Sequence, residues 1–421
     1  TMSNNGIDYI IGKNGGEAPI VWTPNTCHNP HLIIGGSSGA GKTFTIRQII
    51  NAFVARGISF TILDKHGDID GLEGIGEFNF GYGLGRGINP LSIVPDSDYG
   101  GPEANTVAFI GLLNELSGMH RLGPEQQNML HNAIINLYRA NGIKQEEVET
   151  WGQSTYPDLK DLQRFLMHKY KKLLVGGKDD SKEMDYLYDL YKKKRLLERL
   201  EKEALKGADV EDKILATISA LVEKYEDYLK KGILNDKDFL IYTNPRGLLA
   251  VKNRIQNINN SGVFVKNEIS LKNARIIIKN LEDEQKKIVT FYILKRLLDV
   301  FLKARYSEHV RHYLVIDEAS FFLDIPKISH LITRIVQEGR KFGLGIILAT
   351  QNPLNFNNDI LLNTATKMIF SVEPVIHRSV SKTFGVDPVM LKSVLPRKHC
   401  MYSTKAVNNG AYSLIKRTWQ A

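Results

Sequence analysis

The chain has 421 residues, 43% of them hydrophobic, so it is long enough to bury a large core and to form two or three structural units. Its formal net charge of +9 favours a polyanionic partner, although 24% charged residues of both signs are equally typical of an ordinary solvated surface. The two cysteines, far apart in the sequence, exclude a disulfide framework and a thiolate metal site, and we expect a reducing, cytoplasmic location.

The first element is a predicted β-hairpin. Residues 8–23 read DYIIGKNGGEAPIVWT, two short alternating apolar runs around an Asn-Gly-Gly turn. We expect residues 1–30 to form an N-terminal hairpin segment.

An apolar run then leads into a glycine-rich loop that ends Gly41-Lys42-Thr43, the pattern of a loop that cradles nucleotide phosphates. In such a loop several backbone N–H groups face one anion, Lys42 reaches the β and γ phosphates, and the Thr43 hydroxyl is a magnesium ligand. The amphipathic helix that follows favours phosphate at its N-terminus, and the alternative is a chance strand-turn-helix whose glycines serve only the turn. The predicted contacts with ATP come from Gly36, Ser37, Ser38, Gly39, Ala40, Gly41, Lys42, Thr43 and Phe44.

The next buried-type strand, within ISFTILDKHGD, ends at Asp64 and is followed by His66. We expect this strand end to lie beside the phosphate loop. Asp64 and His66 then either touch magnesium-bound water or only cap the next turn, and both readings stay open.

From residue 104 to residue 245 the sequence changes to long amphipathic stretches, with a lysine- and glutamate-rich block over 170–231. This texture predicts a helical insertion domain at 104–245 between two parts of an ATPase core, 31–103 and 246–421. No apolar stretch approaches 18 residues and no leader is recognisable, so we expect neither direct membrane insertion nor a secretion signal.

The core resumes with two strand-like runs, VFVKNEISL and ARIIIKNL, and a helix from Glu284 to Tyr306. Three further buried-type strands follow in YLVIDEA, GIILATQ and KMIFSV. Strands that alternate with helices imply an α/β fold with a doubly wound, mostly parallel sheet and a large helical insertion.

Two carboxylates, Asp317 and Glu318, directly follow the apolar run of YLVI, at the strand end where open α/β sheets bind ligands. In phosphoryl transfer, Asp317 would hold magnesium and Glu318 would orient the attacking water. The alternative is a helix N-cap with a glutamate in its first turn.

Two more polar groups complete the predicted site. Gln351 ends the next strand and either binds the γ phosphate or the lytic water, or is a turn residue ahead of a proline. Arg340, in the basic cluster with Arg334 and Lys341, either complements a helix C-terminus or acts as an arginine finger on a neighbouring subunit.

The sequence resembles the HerA/FtsK superfamily of P-loop ATPases, and within it the HerA-like DNA translocases and VirB4-type ATPases. The segments that carry the resemblance are NPHLIIGGSSGAGKT, TILDKHGD, INPL, YLVIDEA and QEGRKFGLGIILATQNP. The resemblance implies a RecA-like P-loop fold and a homo-oligomeric, hexameric ring that binds ATP and Mg²⁺ at subunit boundaries and threads double-stranded DNA. It assigns the phosphate role to Lys42, the metal role to Thr43 and Asp317, the water role to Glu318, the sensor role to Gln351 and the finger role to Arg340.

Three functions remain open at this point. The first is a magnesium-dependent motor that translocates or pumps double-stranded DNA; the second is a VirB4/TraD-like ATPase of a conjugation or secretion system; the third is an ATP-dependent assembly scaffold for a nuclease or defence effector. Cations in loops are candidate DNA contacts or, alternatively, a solvated surface: Lys252, Arg254, Lys266 and Lys272.

Overall fold

The computed structural model describes most of the chain. It covers residues 9–25, 27, 29–82, 84–98, 100–117, 121–152, 155–175, 181–206, 210–229, 242, 244–304, 306–405 and 410–416. Residues 1–8, 26 and 28 of the predicted hairpin segment and residues 176–180, 207–209, 230 and 231 of the lysine- and glutamate-rich block lie outside the described residues. The chain divides into two compact units, Thr1–Pro90 with Val94–Gly100 and Ser261–Ala421, and Leu91–Ile93 with Gly101–Asn260.

The first unit contains one sheet, which has eleven strands within the described residues. The strands are β1 Tyr9–Lys13, β2 Pro19–Trp22, β3 Leu32–Gly35, β4 Ser59–Asp64, β5 Gly76–Asn79, β6 Ala274–Ile277, β7 His312–Ile316, β8 Leu344–Thr350, β9 Thr366–Ile369, β10 His399–Thr404 and β11 Ser413–Lys416. Their order is β2-β1-β11-β10-β9-β3-β8-β7-β4-β6-β5. The strands from β9 to β5 in this order are parallel, and those from β2 to β10 form an antiparallel edge.

Helices connect these strands and form the second unit. They are α1 Lys42–Ala55, α2 Pro102–Leu116, α3 Pro124–Ala140, α4 Leu159–Val175, α5 Ser181–Ala204, α6 Glu211–Leu229, α7 Pro245–Asn259, α8 Asp283–Lys303, α9 Ser320–Leu323, α10 Pro326–Glu338, α11 Asn358–Asn363, α12 His377–Phe384 and α13 Pro388–Lys392. Short 3-10 helices span Val148–Trp151, Gly339–Phe342, Pro353–Asn355 and Pro374–Ile376. Within the described residues, every helix is too short or too polar to span a bilayer.

The central strands β3, β7 and β8 are buried at every position. Their apolar sequences, LIIG, HYLVI and LGIILAT, fit a parallel sheet that is covered on both faces, because neither face of such a strand meets water. The predicted α/β class with a mostly parallel sheet is therefore confirmed.

The strand that ends at Asp64, β4, does not pair with β3, the strand that precedes the phosphate loop. The turn after β4 nevertheless lies beside the loop as expected, because His66 and Asp68 line one cavity with Lys42. Both β8 and β7 lie between β3 and β4. These two strands come much later in the chain, and their largely apolar sequences are buried at every position.

The expectation of a strand over VFVKNEISL was wrong. Only Phe264 makes a β-bridge, to Ile88, and the polar Lys-Asn-Glu residues that follow leave the sheet. The local pairing is tight, because a Cβ atom added to Gly87 would lie 1.6 Å from the carbonyl oxygen of Val263. A glycine-rich passage that approaches so closely gives one bridge instead of a regular strand pair.

The predicted hairpin is present, as β1 pairs with β2 in antiparallel register. The side-chain oxygen of Asn14 accepts hydrogen bonds from the backbone N–H groups of Gly16 and Ala18, each at 3.0 Å. Strand β1 continues the sheet by pairing with β11. The sequence had not indicated β10 or β11.

The second unit consists of helices α2 to α7. Its core contains buried aliphatic side chains from several helices, among them Met129, Leu166 and Ile255. The unit extends past residue 245, the boundary expected from composition, because α7 packs its apolar face against α3 and α4. The division of the chain into an ATPase core and a helical insertion domain stays a prediction.

Candidate nucleotide site

The phosphate loop joins β3 to α1 and is fixed at its base by backbone hydrogen bonds. Gly36 N–H donates to Thr350 O at 3.2 Å, and Ser37 N–H donates to Ser371 O at 2.8 Å. A Cβ atom on Gly36 would lie 2.6 Å from the Cβ of Phe370, so only glycine fits there. The loop is thereby held against the strand ends of β8 and β9.

The N-terminus of α1 is open toward this loop. Gly41 precedes the helix with φ +111°, a conformation that favours glycine, and its position carries no side-chain cap. The first turn of α1 has no acidic residue. Its first N–H groups and the helix dipole are therefore arranged to attract an anion.

Lys42 folds back over the loop. Its Nζ donates to Gly36 O at 2.6 Å and to Ser37 O at 3.0 Å, and the residue is 8% exposed. Burial lowers the pKa of Lys42, while the charges of Glu318 and Asp317 oppose that shift. The ammonium group is therefore close to both carboxylates and can exchange neutral carbonyls for phosphate oxygens.

Asp317 follows β7 directly and is 5% exposed. Burial, together with the negative charges of Asp68, Asp64 and Glu318, raises the pKa of Asp317 to about 7. Carboxylate oxygens of Asp64, Asp68 and Asp317 lie within 4.8 Å of one another. Such a concentration of negative charge suits a hard divalent cation, because carboxylates are the ligands that Mg²⁺ takes in nucleotide sites.

Glu318 adopts a left-handed backbone conformation, with φ +53°. Non-glycine residues rarely take this conformation, which costs about 1–3 kcal/mol and persists where the surrounding structure enforces it. The Ser320 hydroxyl donates a hydrogen bond to Glu318 Oε1 at 2.7 Å. Backbone and hydroxyl together fix the direction of this carboxylate.

Asp64, in contrast, is occupied by structural partners. Its carboxylate accepts from Arg275 Nε at 2.9 Å and from the backbone N–H groups of Gly67 at 2.6 Å and Ile69 at 3.1 Å. The geometry therefore matches the capping alternative for Asp64. This buried ion pair orders the turn that presents His66 to the site.

A second contact holds the same turn. Lys65 lies over the ring of Phe321, with Nζ 4.1 Å from the ring centroid, and Lys287 lies 5.0 Å from the same centroid. Phe321 belongs to α9, the short helix that follows the carboxylate pair. The turn after β4 and the start of α9 are thus linked by cation–π contacts.

A cavity of about 280 Å³ brings most of the predicted site residues together. It is lined by Ser38, Gly39, Gly41, Lys42, Thr43, Phe44, His66, Asp68, Asp317, Glu318, Gln351 and Arg397. Ser37 and Ala40 instead line a separate cavity of about 400 Å³ on the other side of the loop, and Gly36 lies at the loop base. Three strand ends, those of β3, β7 and β8, therefore converge on one space.

Arg340 is not part of that cavity. It precedes β8, whereas Gln351 follows it, so the seven residues of β8 separate them by roughly 20 Å. Arg340 lines a larger cavity of about 470 Å³, with Lys341 and Tyr306. The neighbouring Arg334 pairs with Glu338 along α10, with Nε 3.1 Å from Oε2.

The candidate DNA contacts are also distributed differently from the expectation. Lys252 and Arg254 lie on helix α7 and not in a loop, and Arg254 donates to the Ser117 hydroxyl at 2.8 Å. Lys266 and Lys272 lie in irregular segments of the first unit. The loop placement was wrong for the first two, because their run has the apolar spacing of a helix.

Sequence reasoning gave no site role to four residues of this region. Arg275 is the buried partner of Asp64, and Ser320 orients Glu318. Asp68 and Arg397 line the cavity. Arg275 and Arg397 lie far along the chain from their partners and in no recognisable motif. Ser320 follows the carboxylate pair by two residues, so its proximity was the one available signal.

Comparisons with known proteins agree with this geometry. Residues 9–89 match the family described as Helicase HerA-like C-terminal. VirB4 of Thermoanaerobacter pseudethanolicus is 15% identical, with 98% of this chain and 96% of that chain aligned and a TM-score of 0.65. The plasmid coupling protein TrwB in complex with ADP and Mg²⁺ is 10% identical, with 98% and 90% aligned and a TM-score of 0.54. No curated protein matches this sequence.

The structural likeness lies below 25% identity, so it concerns the fold. The resemblance to HerA/FtsK-type P-loop ATPases is confirmed by the family match over 9–89 and by the shared fold. TrwB has also been crystallised with the ATP analogue ADPNP, in a fold that aligns with 93% of this chain at a TM-score of 0.51.

Proposed function

We propose that this protein is a magnesium-dependent ATPase whose site is the 280 Å³ cavity at the strand ends. The observation that supports it is the convergence of the phosphate loop, the Asp317–Glu318 pair and Gln351 on that single cavity. These groups come from three strands, and phosphoryl transfer requires all of them at one place.

Each residue has a defined task in this proposal. Lys42 neutralises charge on the β and γ phosphates, and the open N-terminus of α1 binds the same anion. Glu318, fixed by Ser320, orients and polarises the attacking water. Gln351 hydrogen-bonds the γ phosphate or that water and so responds to the presence of the phosphate.

The donor set also fits magnesium. Thr43 and Asp317 would hold the ion, with Asp68 on the same side of the cavity. When bound, the ion would supply positive charge that neutralises the charge developing on the phosphates. The raised pKa of Asp317, caused by burial among other carboxylates, supports this assignment because a cation would relieve that repulsion.

We propose further that the ATPase works as a homo-oligomeric ring, a hexamer by resemblance, in which Arg340 acts on the neighbouring subunit. The position of Arg340 at the opposite edge of the sheet supports this, because the residue is too far from the site of its own chain. A finger from another subunit would make hydrolysis depend on assembly.

Within this scheme we propose that double-stranded DNA is moved or pumped in the cytoplasm. The support is the net charge of +9, the HerA-like match and the buried, unlinked cysteines. An ATPase of a conjugation or secretion system is the second candidate, favoured by the fold likeness to VirB4 and to the coupling protein TrwB. A scaffold for a nuclease or defence effector would need ATP binding without turnover.

Replacing Lys42 tests the ATPase directly. Lys42→Ala should abolish ATP binding or turnover, measured by calorimetry and phosphate release, because the cation that neutralises the phosphates is gone. Lys13→Ala is the matched control, since Lys13 is exposed on the hairpin and pairs with Glu17 at 3.1 Å. Hydrolysis at the unaltered rate in Lys42→Ala would remove the assignment of this loop.

Salt dependence tests the DNA substrate. Affinity for duplex DNA should fall steeply as salt rises, because contacts with phosphates release counterions. The measurement is fluorescence anisotropy of labelled duplex with ATP analogue present. A flat salt response would favour a protein substrate.

A further inference from the structure

Arg397 lies on the phosphate loop although it is far away in sequence. It follows α13 and precedes β10, and its backbone N–H donates to Ala40 O at 3.0 Å. Its side-chain Nε donates to Gly39 O at 3.3 Å. The residue therefore touches two consecutive loop carbonyls and lines the cavity that contains Lys42.

The backbone of Arg397 is strained. Among described non-glycine residues, positive φ values occur at Glu17, Asn273, Glu318 and Arg397, and the last two both line this cavity. Arg397 has φ +61° within a turn in which the N–H of His399 donates to Leu395 O. Glycine would adopt this conformation without strain, so the side chain at this position points to a function.

The charges of the cavity define what that function is. Three carboxylates, Asp68, Asp317 and Glu318, face Lys42 across a space proposed to take a triphosphate. The Lys42 ammonium group and one divalent cation would not fully neutralise the negative charge of a triphosphate and these carboxylates. A guanidinium is permanently charged and binds phosphate oxygens better than it binds a neutral carbonyl.

We propose that Arg397 contacts the β or γ phosphate of the nucleotide bound in its own subunit, exchanging the Gly39 carbonyl for phosphate oxygens. This inference rests on the proposed ATPase function. Arg397 would thus act within one chain, whereas Arg340 would act across subunits. Lys42 makes the same kind of exchange from the other side of the loop, since it also donates to loop carbonyls.

Four variants of the full chain test the proposal. Arg397→Gly removes the guanidinium and relieves the strained backbone, so it keeps the fold. Arg397→Lys and Arg397→Gln both keep the strain, but only lysine keeps the charge. Lys398→Ala is the control, because Lys398 belongs to the same turn and does not line the cavity.

The measurements are affinity for ATP and ADP with magnesium, kcat and KM for hydrolysis, and the melting temperature. Arg397→Gly should melt no lower than the unaltered protein and lose about 10- to 100-fold in ATP affinity or kcat, the value of a hydrogen bond to a charged group. Arg397→Gln should lose as much ATP affinity or kcat as Arg397→Gly does, and Arg397→Lys should lose less. Lys398→Ala should match the unaltered protein.

Negative results for the Arg397 variants and for the unaltered protein have different meanings. ATP affinity and turnover of Arg397→Gly equal to those of an active unaltered protein would overturn the role of Arg397 alone. Equal losses in the lysine and glutamine variants would also overturn it, since the effect would then not follow the charge. Absence of ATP binding by the unaltered protein would overturn the proposed ATPase itself.

Discussion

At the carboxyl ends of β3, β7 and β8, the chain leaves the sheet through a glycine loop, a left-handed glutamate and an exposed glutamine. At the amino ends of the same strands, buried side chains contact the backbone of neighbouring strands instead. His31, just before β3, is fully buried and accepts a hydrogen bond from the N–H of Ile346 on β8 at 3.2 Å. The carboxyl edge has strained and charged groups that line a cavity, whereas the amino edge has buried hydrogen bonds between neighbouring segments.

This difference follows from the geometry of parallel strands. All carboxyl ends meet at one edge, so loops from distant parts of the chain can share a ligand there. Arg340 is the exception, since it is a cation at the amino edge beside its own cavity. It has a role in catalysis only if the amino edge of one subunit meets the carboxyl edge of the next.

The largest expected effect comes from removing the proposed contact of Arg340 with the nucleotide site of the neighbouring subunit. Arg340→Ala should reduce turnover by about 1,000-fold, the order expected for an arginine finger, while its own phosphate loop stays intact. Mixing it with Glu318→Gln subunits should restore part of the activity, because some interfaces then combine an intact Arg340 with an intact Glu318. Phosphate release across mixing ratios measures this.

Arg334→Ala serves as the control for Arg340, since Arg334 pairs with Glu338 within α10. It should retain turnover within a fewfold of the unaltered protein. If mixed assemblies show no recovery at any ratio, Arg340 does not act across the interface.

A change confined to the carboxyl edge is expected to have the second largest effect. Glu318→Gln should lower turnover by about 100-fold or more, because an amide does not polarise the attacking water as a carboxylate does. ATP binding should persist, since Lys42 and the loop are unchanged. Single-turnover phosphate release and calorimetry separate the two quantities.

Asp324→Asn is the matched control, because Asp324 is an exposed carboxylate that pairs with Lys287 at 3.3 Å outside the cavity. Turnover should be unchanged in this variant. Full activity of Glu318→Gln would mean that another group orients and polarises the attacking water.

A smaller effect is expected from the hydroxyl that holds Glu318. Ser320→Ala removes the 2.7 Å hydrogen bond and should lower kcat by about 10-fold with KM unchanged, the value of one hydrogen bond to a charged group of about 1.5 kcal/mol. Ser320→Thr, which keeps the hydroxyl, should recover most of the rate. A change in KM with constant kcat would contradict the positioning role.

The smallest effect on activity is expected at the amino edge, where the consequence is pH-dependent stability. Burial lowers the pKa of His31 to about 3, compared with 6.5 for the unfolded chain. Because the folded protein favours neutral His31, the free energy of unfolding has its full value above pH 6.5. It decreases as the pH falls toward 3, by about 1.4 kcal/mol per pH unit. Urea unfolding at pH 7 and pH 5 measures it.

His31→Asn keeps an acceptor for the Ile346 N–H but does not titrate. The variant should lose less unfolding free energy between pH 7 and pH 5 than the unaltered protein does. Identical losses in both proteins would show that His31 is not the titrating group.

The sequence indicated the local parts of the candidate site, which stay predictions. The phosphate loop and the Asp317–Glu318 pair were recognisable because each is a contiguous motif at the end of an apolar run. The capping role of Asp64 was not decided, since its partner Arg275 is 211 residues away. Arg397 was missed for the same reason, as its contact with Gly39 spans 358 residues.

The error in the sheet had a similar cause. The run VFVKNEISL resembles a strand because its apolar residues are locally suited to one, yet it forms only a single bridge to Ile88. The strand order around β4 was not predicted, because it depends on pairing with segments that follow much later in the chain. Local periodicity determines what an element can be, and its partners determine whether it forms.

By itself, the sequence determined the fold class and indicated the chemical groups proposed to bind a nucleotide, because both depend on short-range patterns of apolar and functional residues. Only the tertiary structure decided that three strand ends share one cavity, that Arg397 lies on the loop and that Arg340 lies at the other edge. The physical reason is that strand order is set by burial and backbone pairing between distant segments, and these act only once the chain is folded.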